Sequence, residues 1–151
     1  MSGDAPSQNV VTAWARLIRA QRAALAGVEA DLKQAGWPPL GWYDALLELK
    51  RSANGALRPL ELESRLLLAQ HNISRLIDRL EAKGYVERRP YAADGRGQLV
   101  AITAAGRALI KGMWPAYRAA IQRHVGAKLR NEAEADQLAT LLGRLIATEE
   151  D

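Results

Sequence analysis

The sequence predicts a mainly helical chain that carries one small β-hairpin, and three observations predict it. Apolar residues recur along most of the chain at the three- and four-residue spacings of helices that bury one face. From Gln70 to Thr103 an amphipathic helical pattern runs into Gly84 and then into two short strand-like segments, with Asp94-Gly95 as the turn signal between them. Charge is uneven: residues 50–130 hold 16 Lys and Arg against 6 Asp and Glu, a net of +10, while the rest of the chain holds 5 against 11, a net of −6. A reading helix followed by a basic hairpin is the winged helix-turn-helix pattern. A basic centre suits nucleic acid, because neutralising phosphates releases condensed counterions.

Taken in order, Val10 to Gln34 places Val10, Trp14, Leu17, Ile18, Leu25, Val28 and Leu32 at helical spacing before Gly36 and Pro38-Pro39 stop it. At 1.5 Å per residue such a helix is roughly 37 Å long, longer than a small lobe covers, so part of it is expected to meet a second copy of the chain. A second helix, Gly41 to Arg51, should bury Leu46, Leu47 and Trp42, and Arg58-Pro59 should open a third reaching Leu66. Leu60, Leu62, Leu66 and Leu68 are its expected apolar contacts.

The reading helix, Gln70 to Lys83, gathers Ile73, Leu76, Ile77 and Leu80 on one face and His71, Ser74, Arg75 and Asp78 on the other, with Asn72 and Arg79 on the flanks. Strands are expected over Tyr85–Arg89 and Gln98–Ile102. Thr103 can cap a basic helix running to about Lys128, with Pro115 expected to kink it or break its ladder locally. A last helix, Asn131 to Thr148, should bury Leu138, Leu141, Leu142, Leu145 and Ile146.

Composition narrows the function classes. The chain of 151 residues is 48% apolar, enough for one good core, and has no Cys, hence no disulfide framework or thiolate-held zinc. No export signal and no run of ~20 apolar residues stand out, so a cytoplasmic protein without a membrane partner is expected. The sequon Asn72-Ile73-Ser74 is read as coincidence. There is no H-E-x-x-H, G-x-S-x-G or P-loop, and His71 and His124 lie far apart in sequence. No enzyme, cofactor or metal site is expected.

The segments ISRLIDRLEAKGYVERR and DGRGQLVAITAAG, the latter ending in Ile102, Thr103 and Gly106, resemble the MarR family of bacterial multiple-antibiotic-resistance regulators. The resemblance extends in element order over nearly the whole chain. It implies one MarR-like unit over 1–151, with a winged helix-turn-helix lobe at 38–103. It also implies dimerisation helices at 9–36 and 104–149, and a homodimer gripping successive major grooves of a palindromic operator. Where the family commonly has Gly and a Ser or Thr cap before the reading helix, this chain has Leu67 and Ala69, leaving the start of that helix open.

Ser74 and Arg75 fall at the positions that contact bases or phosphates, with an Arg75–Asp78 pair as the plainer alternative. Arg88, Arg89 and Arg96 suit phosphates or the minor groove, with Arg96 inserted at the wing tip and Asp94 orienting it. His71, Asn72 and Arg79 are secondary DNA candidates, and Asn72 could instead bond locally at the helix start. Family resemblance further suggests a small aromatic or carboxylate effector near Trp14, Trp42, Tyr43, Met113, Trp114, Tyr117 and Arg118. These side chains could equally be ordinary core or dimer contacts. The expected function is a DNA-binding regulator, a repressor released by ligand; the alternative is a winged-helix module that docks protein.

Overall fold

A computed structural model describes residues 3–91 and 97–146. In chain order it contains α1 (Gln8–Gln34), α2 (Leu40–Arg51), a 3₁₀ turn (Ala53–Gly55), β1 (Ala56–Leu57), α3 (Pro59–Arg65) and α4 (Ile73–Ala82). These are followed by β2 (Val86–Pro90), β3 (Gln98–Ile102), α5 (Ala104–His124), a second 3₁₀ turn (Gly126–Lys128) and α6 (Glu132–Ile146). The chain divides into two compact units, residues 31–117 and residues 1–30 with 118–151.

In the 31–117 unit the sheet order is β1-β3-β2, all antiparallel, with Val86 opposite Ile102 and Leu57 opposite Val100. The two-residue β1 was not anticipated, being too short to leave a period-two pattern. Leu46 and Leu49 of α2, Leu62 of α3, Ile77 and Leu80 of α4, and Val86 and Val100 of the sheet form a closed core. Two expectations for this core fail. Leu60 is 78% exposed, because the seven-residue α3 turns only Leu62 inward, and Leu47 is only partly buried while Leu49 is fully so.

The end of α4 is set by Gly84, which adopts φ 77°. Its N–H donates to the Glu81 carbonyl at 2.9 Å and the Tyr85 N–H to Leu80 at 3.0 Å, a Schellman closure that an L side chain would strain. Thr103 does cap α5: its hydroxyl accepts the Gly106 N–H at 3.1 Å and donates to the Gly84 carbonyl at 2.6 Å. A Cβ at Gly106 would run into the Tyr85 carbonyl oxygen, so this glycine lets α5 start flush against the end of α4. Pro115 lies inside α5 without ending it, and the α-helix stops at His124, short of the expected Lys128.

In the other unit, the α1 backbone at Gly27 lies so close to the His124 ring that a Cβ there would meet it. Asn131 caps α6 by accepting the Glu134 N–H at 2.9 Å. The expected burial of the α6 stripe is not found within one chain. Leu138, Leu141 and Leu142 are exposed, Leu145 is 67% exposed and Ile146 82%.

Candidate nucleic-acid interface

The reading helix begins later than its sequence pattern suggests. Leu66 leaves α3 in an extended conformation (φ −62°, ψ 138°), and α4 starts only at Ile73, so His71 is exposed and outside the helix. Asn72 is the N-cap: its Oδ1 accepts the Arg75 N–H at 3.0 Å, satisfying one of the helix's orphan donors. The cap absent at Ala69 is therefore supplied three residues on. Leu76, Ile77 and Leu80 are buried, which turns Ser74, Arg75, Asp78 and Arg79 outward.

The cations divide into free and engaged. Arg75 does not pair with Asp78; among the described residues neither Arg75 nor Arg79 has an ion-pair partner. Asp78 instead accepts from Arg88 at 2.6 Å, and Glu81 accepts the other arm of the same guanidinium at 2.7 Å. Arg88, expected to face a groove, here bridges β2 and α4. The hydrogen bond to Asp78, reinforced by Glu81, raises the Arg88 pKa further above its already high ordinary value. The signal lay in the pleat. Val86 points inward, so Arg88 two residues on shares its face, while Glu87 and Arg89 face the other way and pair with each other at 2.5 Å.

Asp94 and Arg96 lie outside the described residues. The wing's base closes through the Tyr91 N–H to the Gly97 carbonyl at 2.9 Å. The Arg58 guanidinium stacks on the Tyr91 ring, 4.0 Å from its centroid, tying the wing base to the start of α3. In the sequence Arg58 stands out only as the residue before the proline that opens α3.

Of the seven aromatic-site candidates, the 31–117 unit brings together three. Tyr43 meets Tyr117 edge-on at 4.9 Å and stacks on Trp114 at 6.4 Å. Trp42, half-buried, meets Tyr85 edge-on at 6.1 Å, and Met113 is fully buried in the core. Trp14 and Arg118 belong to the other unit and are exposed, Trp14 by 65%. A cleft of about 340 Å³ opens beside Tyr43 and Tyr117, with Asp44, Arg51, Arg65 and Leu67 in its wall. Burial raises the pKa of both phenols above 10.0; the charge of Asp44 adds to the effect at Tyr117, and Arg51 partly offsets it at Tyr43.

Residues 35–97 match the family model described as MarR family. The multiple antibiotic resistance protein MarR of Escherichia coli (strain K12) is 33% identical over 85 residues, 56% of this chain and 56% of that protein. Its apo crystal structure superposes with a TM-score of 0.70 at 25% identity, covering 88% of this chain and 96% of that one. Over residues 35–97 the chain is similar to the MarR family. Two further structures share the MarR-type fold. A MarR family transcriptional regulator from Streptomyces coelicolor, solved in complex with DNA, has a TM-score of 0.77 at 22% identity over 97% of each chain. BpsR of Bordetella bronchiseptica, whose DNA binding is regulated by 6-hydroxynicotinic acid, has a TM-score of 0.79 at 23% identity over 96% of this chain and 100% of that one. Among the described residues, no three His, Asp or Glu side chains could together hold a metal ion, and no helix is long and apolar enough to cross a membrane.

Proposed function

We propose that this chain is a sequence-specific regulator of transcription that binds double-stranded DNA as a homodimer and acts as a repressor released by a small aromatic or anionic ligand. The observation that carries the reading is the outward face of α4, where Ser74, Arg75 and Arg79 are exposed and neither arginine pairs with a carboxylate among the described residues. In a major groove Arg75 would take guanine O6 and N7, and Ser74 a base edge or phosphate. Arg79 and His71 would serve phosphates, and Asn72 retains its amide N–H groups for the same backbone. Arg89 and, at the wing tip, Arg96 oriented by Asp94 would reach the flanking groove. The DNA complex of the Streptomyces coelicolor relative supports this use of the fold.

The lobe at 38–103 would carry recognition, with 9–36 and 104–149 holding two copies together. The exposed apolar residues of α6, with Val10, Val11 and Trp14 of α1, support a second copy. The effector would enter beside Tyr43 and Tyr117, where Arg51 and Arg65 suit a carboxylate or phenolate. To release DNA it must bind the released conformation more tightly than the bound one. The BpsR relative supports ligand control of this kind.

The test is selection of duplexes from a random library by the purified chain, followed by affinity titrations against salt. A selected palindrome and a steep salt slope are expected. Arg75→Ala should weaken the selected site by about 1–3 kcal/mol and relax preference at one base pair. No selection and a shallow slope would instead favour a protein-docking winged helix.

A further inference from the structure

We infer that Asp44 is a positioning residue for recognition by α4: its carboxylate fastens the turn from which that helix starts, so DNA reading depends on a side chain that touches no DNA. The inference rests on the proposed DNA-binding function. Asp44 is the one buried charged side chain among the described residues, 6% exposed. A carboxylate removed from water is costly unless its oxygens are engaged, and here both are. Oδ1 accepts the Leu67 N–H at 3.0 Å and Oδ2 the Leu68 N–H at 2.8 Å. Those amides belong to the stretch after α3 has ended, where no helical ladder serves them.

One turn earlier on α2, the Gln70 amide occupies the space a Cβ would take at Gly41, with its Nε2 only 2.8 Å from that position. Positions 41 and 44 share a helix face, so the turn lies close against α2 at Gly41 and is hydrogen-bonded to it at Asp44 before Asn72 caps α4. The turn carries Leu67 and Ala69 instead of a glycine and a hydroxyl cap, and the carboxylate supplies from another helix the restraint that local sequence lacks. Base contacts need the reading side chains held to about 0.5 Å. Releasing two amides at the root of α4 loosens the end that bears Ser74 and Arg75.

The test compares wild-type and Asp44→Asn chains on a duplex selected by the wild type and on an unrelated duplex of equal length. Asn keeps the size and one acceptor but sets an NH₂ against the second amide. The expected result is a folded dimer whose affinity for the selected duplex falls about tenfold. Its affinity for the unrelated duplex and its salt slope should stay unchanged, since no phosphate contact is removed. A merely structural role would lower the melting temperature and leave that specificity ratio intact. A ratio unchanged in the folded variant overturns the inference, as does a parallel loss on both duplexes with a reduced slope. Should Asp44→Asn fail to fold, amide exchange on the wild type decides: protection of Leu67 and Leu68 sustains the latch, and exchange at open-loop rates overturns it. A wild type that selects no duplex removes the DNA reading itself, a result distinct from a variant that equals the wild type.

Discussion

Arg88 of β2 and Asp78 of α4 meet at 2.6 Å, and the second arm of the same guanidinium reaches Glu81 at 2.7 Å, so the wing's first strand is bolted to the reading helix. Arg88 is the better shielded partner, its side chain 25% exposed against 65% for Asp78. Exposed pairs of this kind contribute only about 0.2–1 kcal/mol each to stability. Their larger effect is geometric, because they fix the angle between two elements that the proposed function requires to fit DNA together.

Arg88→Ala should therefore weaken operator binding without lowering the salt slope, whereas Arg79→Ala, which removes a proposed phosphate contact, should lower the slope by about one. Asp78→Asn combined with Glu81→Gln should reproduce the Arg88→Ala loss while removing no positive charge. Salt-dependent anisotropy titrations check both, and a slope reduced by about one in Arg88→Ala would return Arg88 to the phosphate contacts.

The parts legible in the sequence were local. The stripe Ile73, Leu76, Ile77 and Leu80, the stop at Gly84 and the Thr103-x-x-Gly106 start of α5 each depend on neighbours within a helical turn or on a backbone angle. The illegible parts involve distant partners. Asp44 looks like a solvent-facing charge in an amphipathic helix until the amides 23 and 24 residues away close on it. β1 exists only because β3 offers it a partner across 44 residues of chain, Leu57 facing Val100 and Ala56 facing Ala101. Arg88 vanished into a basic run, although the pleat from Val86 set its direction. The start of α4 stayed open in the sequence because Gln70 and His71 continue a helical polarity pattern while the backbone, held by Asp44, does not.

Gly106→Ala should destabilise the fold by about 1–3 kcal/mol, the usual cost of forcing atoms into a filled site. The obstacle is the Tyr85 carbonyl and the Ile102 side chain, 2.9 Å from the added Cβ, and the backbone oxygen cannot swing away as a side-chain tip could. Gly143→Ala, in open space on α6, should be neutral or slightly stabilising. Urea unfolding of the two variants measures the difference, and equal midpoints would show that the α4–α5 junction yields.

Tyr43 and Tyr117 should ionise later than an ordinary phenol at 10.0, because burial disfavours their phenolates. The unfolded chain then loses these protons first. The folded state binds more protons between 10.0 and the raised values, and stability falls as pH rises through that window. Below it the contribution is fully present. Ultraviolet titration of phenolate absorbance should show a late-titrating group missing in Tyr43→Phe and in Tyr117→Phe; curves identical to the parent after removal of one normal tyrosine would place that phenol in water.

The α6 stripe bears on the proposed homodimer. Leu138, Leu141, Leu142, Leu145 and Ile146 recur at three- and four-residue steps, all exposed in the single chain, while the opposite side carries Gln137, Thr140 and Arg144. Covering a leucine releases about 1.5–3 kcal/mol, so replacing Leu141 and Leu145 together by Glu should weaken self-association about a hundredfold or more. The double variant should sediment as a monomer at micromolar concentration, with the helical content of the parent by circular dichroism. Operator affinity should then depend on protein concentration, since two reading helices one turn of B-DNA apart, roughly 34 Å, require the pair. A double variant that remains a dimer would move the interface off this stripe.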